Sequence, residues 1–170
     1  MRVLLKPMAV LSVLFSGAIF GFFFAWVCST MWGLDAADPN VAIAAMQAMN
    51  ASVRNAVFAP AFFGTPFVLL ATALIAWVTG ESRAAWLFGA AGMLYLVGGM
   101  ILTMTVHVPM NEALAQVETP LEPARAREVW QGYSIPWQRW NTARAAISGI
   151  TLLLAGLGIL RCADSTSRVP

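Results

Sequence analysis

Four stretches of this chain stay apolar long enough to cross a bilayer, and its polar residues gather between them. The approximate spans are 8–32, 62–79, 85–106 and 141–160. Leu87 to Val106 alone runs twenty residues without a formal charge, about what roughly 30 Å of hydrocarbon requires. The apolar runs are near-continuous rather than alternating, which excludes a β-barrel pattern. The pattern predicts an all-α integral membrane four-helix bundle, a single domain over 1–170. Amphipathic helices at about 40–58 and 123–139 lie on the side opposite the termini.

The punctuation between spans refines this outline. Arg2 and Lys6 before an apolar run imitate a secretory signal peptide, but Phe20, Phe22, Phe23, Phe24 and Trp26 are bulky where a cleavage site wants small residues. The first span is therefore read as retained. Gly33 to Asn40 reads as a turn-rich break, with Asp38 capping a helix that has Pro39 at its first position. Pro60 is expected to interrupt that helix before the second span. Gly80 to Ala84 is a short hairpin loop, flanked by Trp77 and Trp86 as interfacial aromatics. Gly89, Gly92, Gly98 and Gly99 permit close helix approach in the third span, and Gly156 and Gly158 are expected in a packed region. Trp130, Tyr133, Trp137 and Trp140 form an aromatic face suited to a bilayer surface. Ser165 to Pro170 is a short polar tail.

Composition agrees: 59% hydrophobic residues against 11% charged, with a mean hydropathy of +0.73, belong to a membrane protein surrounded by lipid. No basic run suggests nucleic acid. Cys28 and Cys162 would form a disulfide only if their helix ends met. Arg2, Lys6, Arg83, Arg161 and Arg168 on the terminal side tie with Arg54, Arg125, Arg127, Arg139 and Arg144 on the other. Discounting Arg54 and Arg144 as functional favours cytoplasmic termini, in a bacterial inner membrane.

Three polar stripes then fall on one side of the membrane. Gln47, Asn50 and Arg54 come from the amphipathic helix. Met100, Met104, His107 and Asn111 share a face of the third span, and Trp137, Asn141, Arg144 and Ser148 share a face of the fourth. Arg144 lies one turn inside its span, where a guanidinium is costly unless it meets water, an acid or an anion. With Arg54 it suits an enolate, phenolate, carboxylate or lipid phosphate. Glu112 is the nearest acid in sequence to neutralise one of them. His107, whose ordinary titration lies near neutrality, is a candidate base. Pro109 cannot donate to the Thr105 carbonyl, which favours a polar opening beside His107. The catalytic candidates are thus His107, Asn111 and Arg144. The substrate-binding candidates are Gln47, Asn50, Arg54, Trp137 and Asn141.

The soft side chains of Met46, Met49, Met100, Met104, His107 and Met110 keep a copper(I) site open as an alternative, although methionine also packs apolar helices. No nucleotide loop, haem-attachment motif, catalytic carboxylate pair or serine elbow is present in the sequence. The preferred reading assigns no metal and no cofactor. Partners are membrane lipids, a hydrophobic aromatic or quinone-like ligand, and a second copy in a homo-oligomer.

The stretches MQAMNASVRNAVFAPAFFGTP, VHVPMNEAL and WQRWNTARAAIS resemble the anthrone oxygenase family, also described as the DUF1772 domain family. The likeness covers about residues 10 to 160. Characterised fungal relatives oxidise a polyketide anthrone to an anthraquinone with molecular oxygen, without a conventional bound redox cofactor. The resemblance implies a membrane-embedded oxygenase for a lipophilic phenolic or enolisable substrate. In it His107 moves a proton, Asn50, Asn111 and Asn141 orient oxygenated groups, and Arg54 or Arg144 stabilises negative charge. Non-enzymatic lipid binding or complex assembly and small-solute transport stand beside that reading.

Overall fold

The computed structural model describes residues 2–164, with side chains described through residue 162. The tail from Ser165 to Pro170, with Arg168, lies outside the described residues. Among the described residues every regular element is helical. Helix α1 (Arg2–Ala25), a π-helical segment (Trp26–Thr30) and α2 (Met31–Ala36) form one rod of 35 residues. The helix therefore runs on through Gly33, and the turn expected from there to Asn40 shrinks to Ala37 and Asp38. Ala37 is extended (φ −82°, ψ 169°). The Asp38 carboxylate accepts from the backbone N–H groups of Asn40 (2.9 Å) and Val41 (3.4 Å), capping α3 (Pro39–Ser52) with Pro39 where no donor is needed.

Pro60 does not make the next break. Asn55 makes it: its amide donates to the Ser52 carbonyl (2.7 Å) and accepts from the N–H groups of Val57 (2.8 Å) and Phe58 (2.9 Å). One side chain closes α3 and opens α4 (Phe58–Val78), and Pro60 falls harmlessly in the first turn of α4. A hairpin with Gly80 at φ +87° leads into α5 (Ser82–Tyr95), a backbone state that costs glycine nothing. Two further π-helical segments (Leu96–Ile101 and Thr103–His107) and α6 (Val108–Ala115) continue the third rod past Pro109 and Asn111. Finally, α7 (Pro123–Asp164) is one helix of 42 residues, unbroken at Asn141.

Four rods are long and apolar enough to cross a membrane. α1 packs on α4 and α7, and α5 packs on the same two, closing the bundle. Its outer faces leave Leu14, Phe67, Leu74, Ile101 and Leu153 exposed, which suits lipid and not water. Trp77 and Trp86, both exposed, meet edge to face at the α4–α5 hairpin, with ring centroids 6.4 Å apart. Inside, small residues set the spacing. A Cβ on Gly92 would lie 2.9 Å from Leu70, one on Gly98 2.5 Å from Ile147, and one on Gly158 2.9 Å from Phe88. Gly156, expected in a packed region, faces open space instead. The two cysteines sit at opposite ends: Cys28 is exposed beyond α1, and Cys162 is buried with Leu5, Ala9 and Ala84 near the termini.

The first half of α7 extends beyond the spanning part and carries a cap. Trp130, Tyr133 and Trp137 do not lie on a bilayer surface. They are buried against Met31, Ala42, Ile43, Met46 and Leu114 of α2, α3 and α6, while Trp140 stays exposed. An unbroken α7 offers this aromatic face to protein before lipid can cover it. Polar clasps hold the arrangement. Asp35 accepts from Trp130 Nε1 (2.9 Å), Ser134 Oγ (2.7 Å) and Gln138 Nε2 (2.8 Å). Asn40 exchanges two hydrogen bonds with the Leu121 backbone, at 3.0 and 2.8 Å.

Gly98→Ala should lower stability by about 1–3 kcal/mol because the whole Ile147 side chain must shift. Gly156→Ala should be neutral within roughly 0.5 kcal/mol. Thermal unfolding of both variants in one detergent checks the contrast; equal effects would contradict the close approach of the Leu96–Ile101 segment to α7.

Candidate functional site

Where the cap meets the bundle, the helices enclose a cavity of about 620 Å³. Phe22, Phe23 and Trp26 wall it from the first rod, and Asn50 and Arg54 from α3 and the turn after it. Phe58, Phe62 and Phe63 come from α4, Thr103, Met104, His107 and Asn111 from the third rod, and Trp137 and Arg144 from α7. The π-helical segments belong to this picture. One carries Trp26 and another carries Thr103, Met104 and His107, and wider turns of this kind often mark functional positions. The Val108 N–H bonds back to the Thr103 carbonyl, five residues earlier.

Arg144 is the most demanding residue here, with only 5% of its surface exposed. Its Nη2 donates to Asn141 Oδ1 (2.8 Å) and its Nη1 to Thr103 Oγ1 (3.0 Å). Its guanidinium carbon stands 4.4 Å from the Phe23 ring centroid and 5.6 Å from that of Trp137. Nε has no partner. Arg54 pairs with Glu112 and Arg125 with Glu128, both at exposed positions, and among the described residues no carboxylate reaches Arg144. An arginine at the centre of a spanning helix costs on the order of 3 kcal/mol, an upper bound for Arg144, one turn inside its span. Two cation–π contacts at about 0.5–2 kcal/mol each and two hydrogen bonds can offset that cost, yet every one of these partners is neutral and the positive charge itself is left unpaired. The arrangement fits an anionic group supplied by a ligand.

His107 is 1% exposed, and neither ring nitrogen has a hydrogen-bond partner. Its ring meets Trp137 edge-on at 5.3 Å. Buried imidazole nitrogens without partners are rare enough to need a reason, and both lie in a residue that lines the cavity. Beside it, Asn111 Oδ1 accepts from the Tyr133 hydroxyl (2.7 Å) and from Trp137 Nε1 (3.1 Å). With its oxygen committed to two donors, Asn111, which lines the cavity, has its amide N–H groups left to donate. Asn50 donates to the same Tyr133 hydroxyl at 3.3 Å.

The structure thus gathers His107, Asn111, Arg144, Asn50, Arg54 and Trp137 around one cavity, with Arg54 at its exposed rim, 3.7 Å from Glu112. Two expected ligand-binding residues take other places. Gln47 donates to the carbonyls of Leu114 and Val117, both at 2.8 Å, and so closes the end of α6. Asn141 lies behind Arg144 and donates to the Phe23 carbonyl (3.1 Å), which makes it a positioning residue. Ser148 is buried one turn further on, outside the lining. Met46 and Met110 pack in the cap core and Met100 beside Ile19 and Tyr95, while Met49, partly buried against the cap core, also lines the cavity with Met104 and His107. Among the described residues no group of three His, Cys, Asp or Glu could hold a metal.

Sequence reasoning missed Tyr133, Thr103, Phe23 and Asn55 as parts of the site. Thr103 stood one helical turn before His107, the one available signal. The aromatic rings carried none, because lipid-facing and cavity-facing rings read alike.

A family model described as Anthrone oxygenase matches residues 53–154. The match spans His107, Asn111, Asn141 and Arg144, while the wall from the first rod lies outside it. No curated protein and no solved structure matches the chain.

Asn141→Ala would leave the Phe23 carbonyl and Arg144 Nη2 without their partners. The expected loss is about 1–3 kcal/mol of stability, read by thermal unfolding. Exposed Thr142→Ala is the control, and an equal loss there would deny Asn141 its supporting role.

Proposed function

The chain belongs to the anthrone oxygenase family, and from that premise we propose that it oxidises a lipophilic phenolic or anthrone-like substrate with molecular oxygen inside the membrane. The observation that carries this reading is the pairing of an acid-free guanidinium with an unpartnered imidazole in one aromatic cavity. His107 takes a proton from the enolisable substrate. Arg144 and the Asn111 amide face the resulting oxyanion, in a site where fixed donors act without reorganising. The electron-rich carbanion or enolate passes an electron to O₂, and a C–O bond forms at the activated carbon. The hydroperoxide then loses water. The balance is R₂CH₂ + O₂ → R₂C=O + H₂O, with both electron pairs drawn from the substrate.

Cavity size supports a fused aromatic ligand, since 620 Å³ lies within the range of small-molecule sites, about 300–1,000 Å³. Phe22, Phe23, Phe58, Phe62 and Trp137 supply flat apolar walls. The orientation that fits is termini cytoplasmic, in a bacterial inner membrane. Arg144 is buried and Arg54 is paired with Glu112, so neither counts toward the charge bias, and Arg2, Lys6, Arg83 and Arg161 then outnumber Arg125, Arg127 and Arg139.

Oxygen uptake by the protein in lipid nanodiscs, with anthrone as substrate, tests the reading. His107→Ala should lower turnover on the order of 100-fold or more, and Arg144→Gln by a comparable factor, with unfolding temperature checked for each. Full turnover in folded His107→Ala would remove His107 as the base. Saturable anthrone binding without oxygen consumption would instead favour a carrier of lipophilic weak acids.

A further inference from the structure

We infer that the cavity opens sideways to the bilayer, between α4 and the third rod, and that it admits its ligand as the neutral acid dissolved in lipid. This rests on the cavity being a ligand site, as proposed above. α4 packs along α5 and the segment Leu96–Ile101, then parts from Thr103–His107 and α6. The cavity fills the gap, with Phe63 on one edge and Met104 on the other, 45% and 47% exposed. Two apolar stripes lead up to it. Phe67, one turn below Phe63, is 61% exposed, while Val97 and Ile101 continue the Met104 edge at 56% and 45%. These spacings put each stripe on one helix face.

The side toward water is built differently. The α3–α4 turn crosses above the cavity, and Arg54 reaches Glu112 of α6 across its rim at 3.7 Å. Two charged groups face an arriving molecule there, whereas Phe63 and Met104 face it from the lipid. A polycyclic phenol or enol partitions into hydrocarbon far better than its anion does. The anion pairs with Arg144 only deep inside, beside Phe23. Ionisation therefore accompanies docking: the O–H bond breaks, its proton passes to a ring nitrogen of His107, and the oxyanion stays against the guanidinium. No other reactant is consumed in that step. Specificity follows from the route. Ligands that carry a permanent charge, however well they match Arg144, cannot reach it through the lipid.

The first measurement needs no ligand. In a Cys28→Ser background, a bimane fluorophore is attached at Ala59→Cys, in the cavity wall, and the protein is placed in phosphatidylcholine vesicles. Doxyl-labelled lipids should quench it more strongly than aqueous iodide; the reverse order overturns the sideways opening, whatever the protein binds. The second measurement uses 1-hydroxypyrene preloaded in the same vesicles, with association followed by energy transfer from tryptophan. Met104→Phe, which adds bulk without a new donor fluorophore, should slow association at least about tenfold, and Glu112→Ala, which frees the aqueous rim, should not speed it. A wild-type rate in Met104→Phe, or faster uptake in Glu112→Ala, shows access from water and overturns the inference. Loss of anthrone turnover with normal quenching would count against the oxygenase alone.

Discussion

A single uncompensated charge organises the half of this molecule that carries the cap. Arg144 sits a full turn inside the apolar part of α7, and no acid has been placed against it. What surrounds it is neutral: the Asn141 and Thr103 oxygens and the faces of Phe23 and Trp137. Each of these is in turn fixed by another element. Asn141 is tied to the first rod through the Phe23 carbonyl. Thr103 sits in a π-helical turn of the third rod, and its hydroxyl also donates to the Gly99 carbonyl, at 2.6 Å. Keeping the guanidinium in place therefore requires three of the four rods to hold their register. A neutral shell stabilises the cation less than a carboxylate would, yet it leaves the charge able to act on something else.

The cap makes that arrangement possible. Because α7 continues unbroken from Pro123, Trp130, Tyr133 and Trp137 can pass from cap core to cavity wall along one helix face. Tyr133 and Trp137 then hold the Asn111 oxygen, so the packing that seats the cap also decides which end of that amide faces the cavity. Removing the cap would free this amide and open His107 to water. Structure and chemistry are coupled here through the same two rings.

The sequence made much of this legible for reasons that can be named. Long uncharged runs revealed the four spans, because hydrocarbon tolerates little else over twenty residues. The stripe spacing brought Asn50, His107, Asn111 and Arg144 to one side, since helical period fixes which residues share a face. Asp38 and Pro39 marked the start of α3 through local capping alone. Where the reading went astray, distant partners had intervened. Gln47 looked like a ligand-binding residue and instead closes α6, because the Leu114 and Val117 carbonyls arrive from 67 and 70 residues away. Pro60 looked like a helix breaker, yet Asn55 satisfies both helix ends before the chain reaches it.

By itself, then, the sequence determined the membrane-spanning class, the number of spans and the side on which polar chemistry collects, all of which follow from local hydrophobicity and period. Only the tertiary structure decided that Arg144 meets no acid, that Asn141 supports it from behind, and that the aromatic face of α7 seats a cap. Those outcomes depend on contacts between separate rods, and a one-dimensional pattern leaves a lipid-facing ring and a cavity-facing ring indistinguishable until the helices have packed.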